Sequence, residues 1–272
     1  MALDMAKYLY GFKLYFLDSF NYRFNALIQT IFSNLRLLII IFFWVLIYGG
    51  DTHKVLNGFT LAGIITYLVI MDVFGSLIYG LRSSGFVFSG MIKSGLLGSA
   101  LLKPQSLNIH VYFRNLADGV TSSVPQVLLV ICVMPFVARF LVWDVTFLNL
   151  VSIVLFLMVG TVSTHLLCSL LGYMAFWLEE ANAIMWSFMV LFNILTGFFL
   201  PLDFFPGWSI RVLEMLPFAS WGYIQTKLYI GLYPQDEQVL LFAVQVIWVF
   251  ALLVLGKVAW KKGVRKYSAV GG

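Results

Sequence analysis

Long apolar segments separated by short polar ones make up most of the chain. A helix needs roughly 20 mostly apolar residues to cross a bilayer. Five segments reach that length easily and a sixth nearly does. They are residues 27–48, 59–80, 116–138, 147–171, 182–200 and 238–257. The pattern predicts an all-α membrane protein with six transmembrane helices, in one compact domain that covers residues 1–272.

The composition excludes the main soluble classes. Hydrophobic residues make up 61% of the chain and charged residues 11%, whereas a soluble domain has about 45–50% and about 25%. Part of such a surface must face lipid, which rules out a soluble enzyme, a secreted disulfide scaffold and a disordered regulator. Cys132 and Cys168 both lie in apolar segments, so we expect reduced packing residues and not a bridge or metal pair.

The positive charges predict the orientation. With both termini in the cytoplasm, thirteen of the 17 Lys and Arg residues lie on the inner side, as basic residues do in membrane proteins. The outer side then holds Lys54, Arg139, Arg211 and Lys227. The net charge of +5 is therefore explained by topology and by contact with anionic lipid headgroups. We expect no nucleic-acid partner.

The N-terminal segment, residues 1–25, is predicted to be an interfacial helix. Its apolar face carries Met5, Tyr8, Leu9, Phe12, Phe16 and Phe20. Such a helix lies flat in the headgroup layer with its aromatic side toward the lipid. The alternative is a core-facing helix of a soluble domain, for which 25 residues are too few.

The inner loop between spans 2 and 3, residues 81–115, contains a second predicted helix from about Met91 to Leu102. Lys103 and Pro104 end it, because the residue before proline disfavours the helical region. We expect its apolar side chains to be exposed beside two lysines and to form a docking surface. The residues are Met91, Leu96, Leu97, Leu101 and Leu102, with Lys93 and Lys103. A helix lying against the membrane is the alternative.

The outer stretch between spans 5 and 6, residues 197–237, is broken by Pro201, Pro206 and Pro217. Its apolar pieces are too short to cross the bilayer, and such lengths favour re-entrant or interfacial segments. The sequence predicts a re-entrant hairpin of two short helices dipping into the outer leaflet. A basic cytoplasmic tail, residues 258–272, follows the last span.

Ionisable residues inside spans are costly and count as functional hypotheses. Arg36 and Asp72 lie about equally deep, roughly 12–14 Å from the inner end of adjacent antiparallel spans at about 1.5 Å per residue. They form a predicted ion pair. Alternatively, Arg36 snorkels to the headgroups while Asp72 is protonated or hydrated, or Asp72 relays protons. His165 is predicted to be a hydrogen-bonded packing residue, with no metal partners.

Small residues recur every fourth position in span 4, at Gly160, Thr164, Cys168 and Gly172, and predict close helix packing. Aromatic residues of span 5 and the outer hairpin form a possible path for an amphipathic substrate, although lipid-facing anchors explain them as well. They are Phe192, Phe198, Phe199, Phe204 and Phe205. No G-x-x-x-x-G-K-[ST] phosphate loop occurs, so we expect this chain not to hydrolyse ATP.

Several motifs together carry a family resemblance. They are the loop Gly95-Leu-Leu-Gly-Ser-Ala-Leu-Leu-Lys-Pro104, the exit Leu195-Thr-Gly-Phe-Phe-Leu-Pro201-Leu-Asp-Phe-Phe-Pro206, Leu216-Pro217-Phe218 and the ending from Trp260 to Gly272. With six spans, a leading interfacial helix and a broken outer hairpin, the chain resembles the permease subunits of ABC type-2 exporters, most of all the uncharacterised bacterial ones. The resemblance covers nearly the whole chain.

The resemblance implies a non-catalytic subunit in the bacterial inner membrane. It implies a dimer with a second permease, identical or homologous, and two ABC ATPase subunits that bind ATP and Mg, leaving no cofactor in this chain. The coupling helix that docks on the ATPase maps to about Met91–Pro104. The alternative is an ion-coupled secondary transporter or channel; an intramembrane enzyme and a purely structural scaffold are weaker candidates. The substrate stays open: small molecule, peptide, lipid or glycan.

Overall fold

The computed structural model describes residues 2–19, 23–137, 141–142 and 145–267. Predictions that fall on Phe20, Arg139 and residues 268–272 lie outside this part of the chain. The described residues form eleven α-helices and one small hairpin. The helices are α1 (Ala2–Ser19), α2 (Arg23–Tyr48), α3 (Leu61–Arg82), α4 (Ser84–Lys93), α5 (Leu96–Leu101), α6 (Leu107–Val137), α7 (Phe147–Tyr173), α8 (Ala181–Leu195), α9 (Gly207–Met215), α10 (Tyr223–Tyr229) and α11 (Gln235–Lys266).

Strands β1 (Val55–Leu56) and β2 (Phe59–Thr60) pair antiparallel between α2 and α3. Thr60 also caps α3, since its hydroxyl accepts a hydrogen bond from the Gly63 amide at 3.1 Å. Thr146 caps α7 in the same way through the Asn149 amide. These caps satisfy amides that a helix start leaves without an intrahelical partner, and they explain why both helices begin where they do.

The all-α membrane character predicted from the sequence is confirmed. Five helical segments in the described residues are long and apolar enough to cross a bilayer: Thr30–Tyr48, Leu61–Lys93, Leu107–Cys132, Phe147–Phe176 and Gln235–Lys266. The fifth span is shorter than predicted, because α8 ends at Leu195 and the left-handed Gly197 follows. Its 15 residues reach only about 22 Å at 1.5 Å per residue.

One end of the bundle has its own apolar core. Phe88 of α4, Leu97 of α5 and Tyr173 of α7 are buried there together, and Trp260 and Tyr267 at the end of α11 pack against them. The C-terminal end of α11 therefore lies beside α5. Helix α1 packs on the first turns of α6, where Tyr15 contacts His110, so both ends of the described chain lie at this end of the bundle. The segment 258–266 of the predicted tail continues α11 as a helix.

The opposite end holds the broken outer stretch. Short 3₁₀ helices, Leu202–Phe204 and Pro217–Trp221, alternate with α9 and α10. Tyr223 and Leu228 of α10 are fully buried, in the same core as Tyr67 of α3 and Phe156 of α7. The stretch is therefore an integral part of the bundle. How deeply it enters the bilayer stays a prediction.

Helix α1 exposes only part of its predicted apolar face. Tyr8, predicted on the lipid side, is only 6% exposed and stacks on Phe113 of α6. Leu14 and Leu17 are about half exposed instead. The prediction was wrong for Tyr8, because the helix has a protein neighbour that its own amphipathic pattern does not reveal, whereas Leu9 of the same predicted face is 55% exposed.

The helix predicted from Met91 to Leu102 is two elements. Helix α4 ends at Lys93 and α5 begins at Leu96, with Gly95 between them at φ +78°. A left-handed residue ends a helix at little steric cost only when it is glycine. A single residue, Ser83, separates α4 from α3, and its dihedral angles are helical. Helix α6 begins at Leu107, so the inner loop is shorter than predicted.

Glycines bring α4 and α7 into close contact, and the small-residue face of span 4 is their meeting point. A Cβ atom on Gly85 would lie 2.6 Å from the Cys168 carbonyl oxygen, and one on Gly172 would collide with the Gly85 backbone. Gly160 likewise faces the backbone of Ser220. The predicted close packing is confirmed, against α4 and the outer stretch.

We predict that Gly85→Val destabilises the protein, because overpacking a tight contact costs about 1–3 kcal/mol. The matched control is Gly90→Val on the same helix, where an added Cβ meets no atom within 4 Å. Thermal unfolding in detergent, followed by size-exclusion chromatography, measures the difference. Equal unfolding temperatures for the two variants would contradict the close α4–α7 contact.

Candidate functional site

The candidate site begins with two charged side chains on neighbouring spans. Arg36 of α2 and Asp72 of α3 form an ion pair, with Nη2 of the guanidinium 2.5 Å from Oδ1 of the carboxylate. The Asp72 side chain is 6% exposed, whereas that of Arg36 is 41% exposed. The guanidinium also lies over the Phe198 ring, 4.5 Å from its centroid. The arginine is thus held in place while part of it stays accessible.

A third helix joins this pair through amides. Gln126 of α6 donates from Nε2 to the second carboxylate oxygen of Asp72 at 2.5 Å, and its Oε1 accepts from Asn34 of α2 at 3.0 Å. Both oxygens of Asp72 are therefore engaged. The network links α2, α3 and α6 through polar contacts, which are costly to break in an apolar surrounding.

The network forms one wall of a polar cavity of about 420 Å³ between α2, α3, α6 and the end of α8. Arg82, at the C-terminal end of α3, lies at another wall. Its Nη1 donates to Oδ1 of Asn193 at 2.9 Å, and its guanidinium lies over the Phe192 ring. A cavity of this size with a few polar groups has the dimensions of a small-ligand site.

The five aromatic residues predicted to share a substrate path do not form one wall. Phe198 lines the cavity, while Phe192 is fully buried behind Arg82 against Trp221. Phe204 packs on Trp44 and Phe59 in the outer core, Phe205 borders the same core, and Phe199 is 46% exposed. The break after Leu195 sends these neighbours in sequence in different directions, and a substrate path along them stays a prediction.

The predicted coupling residues divide into a core and a surface. Leu96, Leu101 and Leu102 are exposed by 61%, 43% and 86%, and Lys93, Lys103 and Pro104 are exposed beside them. Leu97 is fully buried and Met91 is half-buried, both in the apolar core around Phe88. The prediction that Leu97 is exposed was wrong, because it fixes the short helix α5 to α4 and α7.

The family model for ABC-2 family transporter proteins matches residues 35–271. The chain belongs to this family. The match includes α3 to α11 and all the cavity-lining residues except Thr30 and Phe32, and it agrees with the resemblance to ABC type-2 permeases. It also supports a multi-pass membrane protein that takes part in transport. No curated protein matches the chain.

In this ABC-2 family protein, α1 holds the connection between α5 and α6. The Tyr8 hydroxyl accepts a hydrogen bond from the Ser106 amide at 2.8 Å, and Lys7 Nζ lies 3.4 Å from the Pro104 carbonyl oxygen. Tyr15 pairs with His110 at 2.9 Å. The sequence interpretation missed this clamp, whose only signal is the polar hydroxyl groups on an otherwise apolar face.

His165 is a hydrogen-bonded packing residue, as predicted. Its Nδ1 lies 2.8 Å from the Ser84 hydroxyl, which also accepts from Nδ2 of Asn115. The Tyr112 ring packs edge-on against the His165 imidazole, with the two ring centroids 5.3 Å apart. The described residues contain no group of three or more His, Cys, Asp or Glu that could hold a metal ion. This polar cluster joins α4, α6 and α7.

A second charged cluster, which the sequence interpretation did not predict, supports the outer stretch. Lys227 of α10 lies 2.8 Å from Asp203 Oδ1 and 3.7 Å from Glu214 Oε1. Burial raises the pKa of Tyr233, so its hydroxyl stays protonated and donates to Glu214 at 2.5 Å. The carboxylates of Asp203 and Glu214 are thus paired with the Lys227 ammonium group. These contacts between distant sequence positions fix the conformation of the broken segment.

We predict that Asp72→Asn destabilises the protein by about 1–3 kcal/mol, since it removes the carboxylate partner of Arg36, whose side chain is 41% exposed and keeps part of its solvation. Asp236→Asn is the matched control, because Asp236 is exposed at the start of α11. Unfolding of the purified protein in detergent measures both. A loss no larger than that of the control would show that the Arg36–Asp72 contact carries no stabilisation.

Proposed function

We propose that this chain is the transmembrane permease subunit of an ATP-driven ABC exporter. It forms the translocation pathway in a dimer with a second permease, identical or homologous. Two separate ATPase subunits bind ATP and Mg and drive it from the cytoplasm. The protein lies in the bacterial inner membrane with both termini in the cytoplasm. The family membership supports the permease role, and the exposed apolar surface on α5 is the observation that carries the coupling.

The placement of α5 supports docking at the inner end. Leu96, Leu101 and Leu102 expose apolar side chains at the end of the bundle where both described chain ends lie. Exposed apolar groups of this kind mark interaction sites. Lys93 and Lys103 beside them add positive charge that complements an acidic rim on a partner.

The covalent and packing connections supply a route from α5 to the cavity. Leu97 fixes α5 to the inner core that contains Phe88 of α4. Helix α4 is joined to α3 through Ser83 alone, and α3 carries Asp72 and Arg82 at the cavity. A push on α5 is therefore transmitted to the helix that holds the charged groups. Tilting of α3 then changes access to the cavity from one side of the membrane to the other.

The network around Asp72 supports this reading over an ion-coupled transporter. A proton carrier needs a carboxylate that binds and releases its proton during the cycle. Both oxygens of Asp72 are engaged, by Arg36 and by Gln126, which supports a role in holding three helices together and not in carrying a proton. The chain also contains no phosphate-loop motif, so the nucleotide chemistry belongs to the partner subunit.

We predict that Leu102→Asp, and likewise Leu96→Asp, abolishes co-purification of the chain with its ATPase, because a carboxylate at an apolar contact is desolvated without a partner. Val55→Asp is the matched control: Val55 is 58% exposed in the hairpin at the opposite end. Leu97→Asp is unsuitable, because the buried residue supports the fold.

The measurement is pull-down of the ATPase by the tagged permease from detergent-solubilised membranes, with the amount of inserted permease determined in parallel. We expect normal insertion for all three variants and loss of the ATPase for the two α5 variants only. Retention of the ATPase by both α5 variants would refute α5 as the coupling site.

A further inference from the structure

The charges of the cavity identify a chemical class of ligand. Its described lining contains two guanidinium groups, Arg36 and Arg82, and one carboxylate, Asp72. The two oxygens of this carboxylate accept hydrogen bonds from Arg36 and Gln126. Arg82 hydrogen-bonds a neutral amide, Asn193, and forms no salt bridge within the described residues. The cavity therefore has an excess of one positive charge at Arg82.

Both guanidinium groups retain hydrogen-bonding capacity. The Nε atoms of Arg36 and Arg82 have no hydrogen-bond partner in the part of the chain that the structure describes. The Arg36 guanidinium lies over the Phe198 ring and that of Arg82 over the Phe192 ring, and each ring holds its guanidinium in position. A planar, oriented arginine fork matches carboxylate or phosphate oxygens. An anion in the cavity would compensate the charge of Arg82.

Two aromatic side chains border the cavity at the protein surface. Phe32 of α2 and Tyr79 of α3 line it and are exposed by 68% and 63%. An occupant with a charged head and an apolar body satisfies both parts of this site. A small inorganic anion leaves the aromatic rim unused, and a neutral lipophile leaves Arg82 uncompensated.

We propose that this cavity binds an amphipathic anion, with its carboxylate or phosphate group at Arg82 and Arg36 and its apolar part at Phe32 and Tyr79. That the bound anion is the transported substrate rests on the proposed function, whereas the binding itself does not. The head group is that of an anionic lipid or that of a soluble amphipathic acid, and the two sources share this chemistry.

The test uses the full chain in phosphatidylcholine nanodiscs, without ATPase or nucleotide. The fluorescent acid dansyl-undecanoate is the probe, and its uncharged methyl ester is the matched ligand control. We expect the acid to bind at least about tenfold more tightly than the ester, since charge-assisted hydrogen bonds to arginine distinguish them. Equal affinities would overturn the proposal.

Variants locate the binding. We expect Arg82→Gln to weaken acid binding by about tenfold and Arg82→Lys to retain most of it, because the lysine keeps the charge. Arg265→Gln removes an exposed positive charge from the end of α11 and serves as the control. Ser76→Asp adds a negative charge to the cavity wall without removing an arginine contact, and it should also weaken binding. Unchanged affinity in both Arg82→Gln and Ser76→Asp would overturn the proposal.

Competition then distinguishes the two sources. Displacement of the probe by phosphatidylglycerol mixed into the nanodisc identifies a lipid head group. Displacement by added decanoate, but not by phosphatidylglycerol, identifies a soluble amphipathic acid. Failure of both competitors to displace the probe would overturn the proposal, because neither kind of amphipathic anion would then compete for the site. A negative result here leaves ATPase co-purification unaffected, so it is distinguishable from failure of the proposed function.

Discussion

A buried carboxylate in an apolar bundle must have partners, and this constraint organises the centre of the protein. Asp72 is 6% exposed in its side chain, and leaving such a charge unpaired costs about 3–5 kcal/mol. Arg36 and Gln126 supply its partners from α2 and α6. Three helices are thereby held around a polar cavity, and the second arginine on α3 gives that cavity its positive charge.

Helix α3 connects the cavity to the end of the bundle that carries α5. One residue separates α3 from α4, and the left-handed Gly95 separates α4 from α5. Gly85 and Gly172 allow close packing between α4 and α7. Helix α4 is therefore held firmly against α7. In our proposal, motion imposed on α5 therefore reaches Asp72 and Arg82 as movement of a single unit.

Hydropathy was sufficient for the membrane class and for most helices, because each span must be apolar over its length. Helix depth alone placed Arg36 opposite Asp72, and the structure has them in contact. The predictions that were wrong concern side chains whose burial depends on neighbours distant in sequence. Leu97 and Leu96 have the same local chemistry, but only Leu97 meets the core around Phe88. Tyr8 is likewise buried because α6 lies beside α1, which periodicity within α1 does not encode.

The most direct test of this arrangement is a double-mutant cycle on the ion pair. Arg36→Gln, Asp72→Asn and the double variant are compared with the native protein by their free energies of unfolding in detergent. If the contact organises the three helices, the double variant loses less than the sum of the single losses, with a coupling energy above about 1 kcal/mol. Additive losses would show that Arg36 and Asp72 act independently, and they would contradict the account.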